Sequence, residues 1–471
     1  MTDIRFGTDG WRAEIADAYT FDNVRKVAQA VADYVNAKEK ATGKRRLIVG
    51  YDCRFMSDEY AKAVAEVLAA NRIKVYLTDR PTPTPAISFT IKKKRLNGAL
   101  IITASHNPFN FNGIKFKTEL AAPADSSVTA QIEKMVGRTK PKALDYDCAL
   151  SNGKIELFDA GKEYVRFIRS YIDIKAIAKR RPRILVDYMH GAGYGYIEEI
   201  LKGTHCRIEA IRSKQDPLFG GVNPEPIPKN LQASRKHIMT KTFDLGIALD
   251  GDADRIGAIR PDGRYITSGE IISLILLHFL EDRHIYGTVV KTISGTTLIE
   301  RICERFELKM YEVPVGFKYI ARLMQKENIL IGGEESGGIG FCGYIPERDG
   351  ILSGLLLINM LAERRSSIIS IMDKIDKQYG RFCYDRLDIR YPQSKAKALT
   401  HRLKTRPPER IAGKRVVRIK AYDGIKFIRE DSSWLLLRFS GTEPLIRIYA
   451  EAGSDRAVKR LLEAGKRIIG T

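Results

Sequence analysis

The chain has 471 residues, too many for one compact domain, and we expect three or four domains. Its 79 Lys and Arg exceed its 57 Asp and Glu, which gives a formal charge of +22. This charge permits nucleic acid as a partner, but the basic residues are spread over the whole length without a recognisable nucleic-acid motif, so an anionic small substrate is the simpler interpretation.

Helix and strand patterns alternate along the first third of the chain. Apolar residues at helical spacing predict a helix over 21–37 and another over 58–71. Buried strands are predicted at RLIVGYD (46–52), KVYLTD (74–79) and NGALIIT (97–103), with a rigid proline-rich connector at 80–86. This β-α-β order predicts a parallel sheet.

The same order recurs twice before the pattern changes. Strands are predicted at 183–189, 207–211 and 244–250, and again at 287–292, 308–313 and 328–333. The last part predicts a hairpin at Asp423-Gly424, two strands around a tight loop (WLLLRFS and LIRIYAEA) and a closing helix over 454–469. The predicted fold class is α/β, with three similar domains of mixed or parallel sheet followed by a smaller C-terminal α+β domain. The expected boundaries are 1–150, 151–262, 263–377 and 378–471.

Cysteine usage and apolar runs indicate the compartment. The six cysteines are scattered without a C-x-x-C pair, which argues against a zinc site and for free thiols in a reducing cytoplasm. The N-terminus MTDIRFGTDGWR has no apolar signal core, and IISLILLHFL and ILSGLLLINML are shorter than the ~20 residues of a membrane span. We therefore expect a cytoplasmic protein that does not bind membranes, with buried helices at these two runs.

The predicted strand at 97–103 leads directly into Ser105 and His106, within ALIITASHNPFNFNGIKF (99–116). A nucleophile–base pair is one interpretation, but adjacent residues at a strand end point to opposite faces, and no G-x-S-x-G motif surrounds the serine. A plain turn is another interpretation. The position favours a functional role, because ligands bind at the carboxyl ends of parallel strands.

Three aspartates alternate after the third strand of the second group, Asp250, Asp252 and Asp254 in ALDGDADRIGAI. Alternate residues on extended backbone project to one side, and at ~5 Å and an effective dielectric of ~20 each pair repels by about 3 kcal/mol. A cation relieves this repulsion. The calcium EF-hand pattern fails, because Arg255 and Pro261 stand where it needs glycine and glutamate. Mg²⁺ sharing its shell with a phosphate fits the motif, and a solvated acidic turn is the alternative.

Two glycine-containing loops carry hydrogen-bonding side chains. GGEESGG (332–338) follows a predicted strand and offers carboxylates to sugar hydroxyls, although a glycine-rich turn is equally consistent. RFSGTEPLIR (438–447) offers donors for a phosphate dianion, with a hairpin loop as the alternative. Those donors are the side chains of Arg438, Ser440, Thr442 and Arg447 and the backbone N–H groups around Gly441.

Together, in this order and spacing, the motifs resemble those of the α-D-phosphohexomutases. The matching segments are FGTDGWR (6–12), TASHNP (103–108), NGIKF (112–116), DGDADR (250–255), GEESGG (333–338) and RFSGTEP (438–444). Every predicted domain contains a match, so the resemblance spans the whole chain. It implies four domains around a central cleft, and a phosphohexomutase that needs Mg²⁺ and takes glucose 1,6-bisphosphate as activator.

The resemblance assigns roles to the residues of the first two domains. Ser105 matches the serine that the family carries as phosphoserine. Asp250, Asp252 and Asp254 match the aspartates that bind Mg²⁺ together with a phosphate oxygen on that serine. Lys115 matches the lysine that acts as general base.

Further matches surround the substrate. His106 and Arg12 match residues that align the transferring phosphoryl group, and Glu334 and Ser336 match contacts to sugar hydroxyls. A clamp on the phosphate that does not react is implied for the C-terminal loop. The full set of implied substrate contacts is Arg255, Lys291, Lys318, Glu334, Ser336, Arg438, Ser440, Gly441, Thr442 and Arg447.

The sugar-loop motif departs from that of some relatives. Mannose-using bacterial members often read GEMSGH and glucosamine enzymes GEQSGH, whereas this chain has Gly338 in place of the histidine. The loop is closer to the GEESFG of animal-type phosphoglucomutases, which favours interconversion of glucose 1-phosphate and glucose 6-phosphate. Dual specificity for glucose and mannose phosphates, and a glucose-1,6-bisphosphate synthase, are alternatives from the same resemblance.

A protein of a different class, a basic nucleic-acid-binding module on a retired mutase fold, is the last alternative. The intact Ser105, Lys115 and aspartate set argues against it. We expect small sugar phosphates as partners and no specific nucleic acid. The sequence leaves monomer and dimer open.

Overall fold

The strands of the protein form four sheets that follow one another along the chain. The computed structural model describes residues 4–7, 9–38, 45–439 and 445–470. Three sheets have parallel strands at their centres and antiparallel strands at one side, and the fourth is antiparallel. The predicted fold class, three α/β units followed by a smaller α+β unit, is confirmed.

The first unit has a six-stranded sheet in the order β1-β5-β4-β2-β3-β6. Its elements are β1 (Trp11–Glu14), α1 (Phe21–Lys38), β2 (Arg46–Tyr51), α2 (Ser57–Ala70), β3 (Lys74–Thr78), α3 (Thr84–Lys94), β4 (Gly98–Ile102), β5 (Phe111–Thr118), α4 (Ser126–Met135), α5 (Tyr146–Ser151) and β6 (Ile155–Phe158). The sheet therefore continues past residue 150, where the sequence predicts the boundary. Helix α3 begins inside the stretch predicted as a connector, since proline is tolerated in a first helical turn.

The second unit has the sheet order β11-β10-β9-β7-β8, with β7, β8 and β9 parallel. Its elements are α6 (Gly161–Tyr171), α7 (Ile174–Arg180), β7 (Arg183–Asp187), α8 (Tyr196–Ile200), β8 (Arg207–Ile211), α9 (Gln232–Ile238), β9 (Leu245–Leu249), β10 (Ile256–Ile259) and β11 (Tyr265–Ile266).

The third unit has the sheet order β13-β12-β14-β15, with β15 antiparallel to β14. Its elements are α10 (Ser268–Leu277), β12 (Thr288–Thr292), α11 (Thr297–Arg305), β13 (Met310–Val313), α12 (Phe317–Met324), β14 (Ile329–Gly333), β15 (Ile339–Phe341), α13 (Gly350–Arg364) and α14 (Ile368–Tyr379). The two long apolar runs form α10 and α13, both largely buried as predicted. Among the described residues, no helix is long and apolar enough to cross a membrane.

The fourth unit is an antiparallel sheet in the order β16-β21-β20-β19-β18-β17, with two helices. Its elements are β16 (Cys383–Arg390), α15 (Gln393–Thr405), β17 (Arg410–Ile411), β18 (Lys414–Lys420), β19 (Ile425–Arg429), β20 (Trp434–Phe439), β21 (Leu445–Ala452) and α16 (Asp455–Ile469). The predicted hairpin joins β18 to β19.

The fourth unit docks on the third through an apolar contact and several polar ones, among them those of Lys426 and Asp423. Trp434 packs in one buried cluster with Ile293 of the third unit. Lys426 is fully buried, donates to the Ile293 carbonyl at 2.7 Å and lies 3.9 Å from the Trp434 ring centroid. Asp423 accepts the Val315 N–H at 2.7 Å. These contacts join the fourth sheet to the third unit.

Lys426 gives the stability of this interface a dependence on pH. Burial lowers the pKa of Lys426 to about 7, and nearby Lys291 adds to the effect. An unfolded lysine titrates near 10.4, so the folded state is penalised below about pH 7 and the penalty is relieved as the pH rises. The quantity to measure by calorimetry is the difference between the melting temperature of the wild type and that of Lys426→Met. We expect this difference to increase between about pH 7 and about pH 9. A flat or falling difference would contradict a lysine that is buried with a lowered pKa.

Candidate active site

Ser105 stands just beyond the carboxyl end of β4. Its hydroxyl contacts the metal loop, which comprises residues 250–255. Its Oγ donates to Asp250 Oδ2 at 2.9 Å, and its backbone N–H donates to Thr103 Oγ1 at 2.8 Å. The serine has φ +51, in the left-handed region that non-glycine residues seldom adopt. Its Oγ is 3.5 Å from His106 Nδ1, a long contact for a nucleophile–base pair. The Asp250 contact is therefore the shorter of the two.

A buried arginine holds the loop that carries Ser105. Arg54 is 2% exposed and forms an ion pair with Asp52 at 3.3 Å. Its guanidinium donates at 2.6 to 2.9 Å to the carbonyls of Ser105, Asn107, Pro108 and Phe111. These charge-assisted bonds offset the strained backbone of the serine. The sequence analysis missed Arg54, although its place after β2 at the same sheet edge could have pointed to it.

Asp250, Asp252 and Asp254 converge after β9 as predicted, but through a turn with Ala253 at φ +57 and not along the extended backbone that the prediction assumed. One oxygen of each lies within 4.8 Å of the others, and all three side chains are buried. Burial and then the neighbouring carboxylates raise the pKa of Asp250 well above its usual range. Oδ1 of Asp252 and Oδ1 of Asp254 accept no hydrogen bond from the described residues. Buried, unsatisfied carboxylate oxygens that repel one another fit a hard divalent cation such as Mg²⁺.

Lys115 lies at the centre of the carboxylates and is fully buried. Its Nζ is 2.7 Å from Asp252 Oδ2, 2.8 Å from Asp254 Oδ2 and 3.0 Å from Asp9 Oδ2. Burial opposes the charged form, but these three carboxylates raise the pKa of Lys115 above its ordinary value. For Asp252, burial would raise the pKa, but Lys115 and the Thr84 hydroxyl together lower it below its ordinary value. The lysine is thus the counter-ion of the site in this structure.

Asp9 and Arg348 complete this cluster, and the sequence analysis named neither. Arg348 precedes α13 and donates to Asp254 Oδ2 at 2.7 Å and to Asp9 Oδ2. Asp9 Oδ1 also lies 3.3 Å from Lys117 Nζ. Asp9 falls inside the quoted FGTDGWR segment, and Arg348 falls in ERDG (347–350), a charged turn before an apolar helix. A charged residue at the edge of such an apolar segment is unusual, and it could have pointed to Arg348.

Arginines from three units surround His106. Burial, then Arg255, Arg12 and Arg447, lower the pKa of His106 well below its usual range, so its ring is neutral. Arg12 Nη1 donates to Asn107 Oδ1 at 2.6 Å. This positive surface beside Ser105 suits a phosphate group.

The sugar loop comprises residues 333–338, at the end of β14. Backbone groups join it to the metal loop. The Ile256 N–H donates to the Gly337 carbonyl at 3.1 Å, and Gly337 has φ +92, so this turn requires glycine. Glu334 is 4% exposed, and burial raises its pKa to about 7 against the opposing charge of Arg348. Ser336 lies half-buried in the same loop.

Lys291 and Lys318, two of the predicted substrate contacts, have partners outside the aspartate cluster. Lys291 is fully buried and pairs with Glu300 at 2.5 Å. Lys318 reaches Ser126 Oγ of the first unit at 2.7 Å. Ser440, Gly441 and Thr442 lie outside the described residues.

Arg438 and Arg447 stand on the strands that enter and leave that loop. They are directly opposite each other in the pairing of β20 with β21. Arg438 Nε lies 3.0 Å from Asp423, the residue that anchors the fourth unit to the third. Two arginines therefore frame the position of the predicted phosphate clamp.

Comparison with known proteins covers nearly the whole chain. Residues 3–143, 162–263 and 268–379 match Phosphoglucomutase/phosphomannomutase, alpha/beta/alpha domains I, II and III, and residues 395–466 match the C-terminal domain of that family. A phosphoglucomutase/phosphomannomutase of Thermococcus kodakarensis is 30% identical over 468 residues, 98% of each chain. A phosphoglucosamine/phosphogalactosamine mutase of Sulfurisphaera tokodaii is 28% identical over 466 residues, also 98% of each. A Thermus thermophilus structure, provisionally assigned as a phosphomannomutase, is 33% identical with a TM-score of 0.89 over 100% of both chains.

The aspartate cluster makes a direct prediction about metal binding. Asp252→Asn removes one of three convergent carboxylates, and we expect it to weaken Mg²⁺ binding about 100-fold, measured by isothermal titration calorimetry. Asp262→Asn is the matched control, because Asp262 is 44% exposed and pairs with Arg260 outside the cluster. Equal Mg²⁺ affinity in the wild type and Asp252→Asn would show that the aspartates do not form the site.

Proposed function

Because the chain belongs to the phosphoglucomutase/phosphomannomutase family of α-D-phosphohexomutases, we propose that it interconverts glucose 1-phosphate and glucose 6-phosphate. At the level of the family it is a phosphohexomutase, an isomerase. The observation that carries the proposal is the 2.9 Å contact of Ser105 Oγ with Asp250, inside the cluster of Lys115 and the aspartates. A nucleophilic oxygen, a cation site and a candidate base are thus in one place.

In the proposed reaction Ser105 carries the phosphoryl group. The sugar 6-hydroxyl attacks phosphorus in line and gives its proton to Lys115 Nζ, while the bond between phosphorus and Ser105 Oγ breaks and the departing serine oxygen takes up a proton. The glucose 1,6-bisphosphate so formed reorients until its 1-phosphate faces Ser105 Oγ. The Ser105 hydroxyl then attacks that phosphorus and loses its proton, the bond between phosphorus and the sugar 1-oxygen breaks, and the 1-oxygen takes up a proton. Glucose 6-phosphate and phosphorylated Ser105 result.

Lys115 acts as a base only if it gives up the proton that its carboxylates hold. Two of those carboxylates, Asp252 and Asp254, belong to the proposed metal set. Mg²⁺ supplies charge that neutralises them and stabilises the phosphoryl oxygens. Occupation of the set therefore favours the neutral amine of Lys115.

The arginines of the cleft account for recognition of both phosphates. We assign the reacting phosphate to the surface formed by Arg12, Arg255 and neutral His106, which lies beside Ser105. We assign the other phosphate to Arg438 and Arg447 with Ser440, Gly441 and Thr442, on the strength of the sequence motif. A dianion accepts several charge-assisted bonds, and arginine provides them in pairs.

The preference for glucose rests on the residue next to the sugar-contact carboxylate. A Cβ added to Gly338 would lie 3.4 Å from Glu334 Oε2, so residue 338 borders the sugar site. Glycine offers no side-chain donor there, and the axial 2-hydroxyl of mannose is left with fewer partners. One poorly paired buried hydroxyl costs about 1–3 kcal/mol, and 1.4 kcal/mol is about tenfold in rate or affinity.

Dual specificity is the second candidate. It is favoured by the 30% identical relative of Thermococcus kodakarensis, which is named for both glucose and mannose phosphates. The Sulfurisphaera tokodaii relative is named for glucosamine and galactosamine phosphates, so amino sugars belong in the same assay.

The carrier role of Ser105 is tested by intact-mass spectrometry. Wild type incubated with glucose 1,6-bisphosphate and Mg²⁺ should gain about 80 Da, the mass of one phosphoryl group, and Ser105→Ala should not. Ser151→Ala, an exposed serine at the end of α5, should behave as the wild type. Mutase turnover at the wild-type rate in Ser105→Ala would sink the assignment.

Sugar preference is tested by steady-state kinetics with the matching bisphosphate activators. We expect kcat/KM for glucose 1-phosphate to exceed that for mannose 1-phosphate by at least ~10-fold, with glucosamine 1-phosphate run alongside. Equal values for glucose and mannose would replace the glucose proposal with dual specificity.

A further inference from the structure

Arg348 touches acidic groups from three units of the protein. It lies in the turn before α13 and is 4% exposed. Its Nη2 donates to Asp254 Oδ2 at 2.7 Å and to Asp9 Oδ2, while its Nη1 lies 3.5 Å from Glu334 Oε2. The guanidinium carbon is 5.6 Å from the ring centroid of Phe317. One planar cation thus connects the metal loop, the first unit and the sugar loop.

The stem of Arg348 fills the space beside Gly338. A Cβ on Gly338 would lie 3.0 Å from Arg348 Cγ and nearer still to Cδ. The φ of Gly338 is not in the left-handed region, unlike that of Gly337, so the backbone does not require glycine at 338. The neighbouring arginine requires it instead, because any side chain at 338 would displace the stem.

From this packing we propose that Arg348 is a positioning residue for the sugar, which holds the Glu334 carboxylate in register with the metal loop, and that Gly338 is the space its stem needs. The inference rests on the proposed function, in which Glu334 contacts sugar hydroxyls. Arg348 and Gly338 then act as one specificity-determining pair.

Arginine is suited to this position for a geometric reason. Its planar fork presents separate N–H groups to Asp254 and Glu334, whereas a lysine presents one point charge at the end of a flexible stem. The positive charge also opposes the rise in the pKa of Glu334 that burial causes. Arg348→Lys therefore retains the positive charge and removes the planar pair of N–H donors.

The proposal is tested with a double-mutant cycle of Arg348→Lys and Glu334→Gln. We expect Arg348→Lys to lower kcat/KM for glucose 1-phosphate about 30-fold, mainly through KM, and to cost about 3-fold or less in the Glu334→Gln background. Hydrolysis of phosphorylated Ser105 by water needs no sugar, so Arg348→Lys, which also loses a bond to Asp254, should lower its rate several-fold less than it lowers kcat/KM. Losses that multiply independently in the double variant, or hydrolysis that falls with kcat/KM, would overturn the proposal.

A second arm tests the packing of Arg348 on Gly338. Gly338→Ala should reproduce the rise in KM in the wild-type background and add about 2-fold or less in the Arg348→Ala background. Gly453→Ala is the matched control, because an added Cβ there meets no atom nearer than 3.9 Å. An equal cost of Gly338→Ala in both backgrounds would refute the packing argument.

The two proposals fail in different ways. A wild type that turns over no hexose phosphate would refute the proposed function. An active wild type with independent losses in both cycles would refute only the role of Arg348. Melting temperatures of all variants exclude a loss of folding as the cause.

Discussion

The site depends on a balance between buried cations and buried carboxylates. Lys115 and Arg348 share two acceptor atoms, Asp254 Oδ2 and Asp9 Oδ2, although the four residues come from three units. Leaving any one of these charges buried without its partners costs several kcal/mol. The packing of the first three units against one another is therefore tied to the same charges that make up the candidate catalytic site.

Backbone hydrogen bonds also connect the metal loop to elements of the first and third units. The Thr84 N–H donates to the Asp252 carbonyl at 3.0 Å, and the Gly350 N–H donates to the Ala253 carbonyl at 3.1 Å. The metal loop is thereby fixed to the start of α3 on one side and to the start of α13 on the other. The fourth unit has its own core and docks on the third through contacts that include Lys426, Asp423 and a few apolar side chains. The residues proposed for the chemistry belong to the first three units, and the proposed phosphate clamp belongs to the fourth unit.

The sequence predicted the parts of the fold that follow from local pattern. Strand periodicity and the two apolar runs were sufficient for the three α/β units. The convergence of the three aspartates was predicted from alternation along an extended chain, but the chain achieves it through a turn. The boundary at residue 150 missed β6, because a short strand that completes a sheet carries little pattern of its own. Asp9, Arg54 and Arg348 were missed because their importance comes from partners more than 50 residues away, which no window of sequence contains. The role of Lys291 as a substrate contact rests on resemblance alone, and in the structure that lysine forms a buried ion pair with Glu300.

The most direct test of the account is a pulse–chase of the phosphoryl group. Purified protein is labelled with ³²P-glucose 1,6-bisphosphate in Mg²⁺, freed of ligand, and divided for peptide mapping and for a single-turnover chase with unlabelled glucose 1-phosphate. The account predicts that the label is on the peptide containing Ser105, that labelling is lost in excess EDTA, and that the chase moves the label into a glucose bisphosphate or glucose 6-phosphate. Label on another peptide, or label on Ser105 that the chase leaves in place, would contradict it.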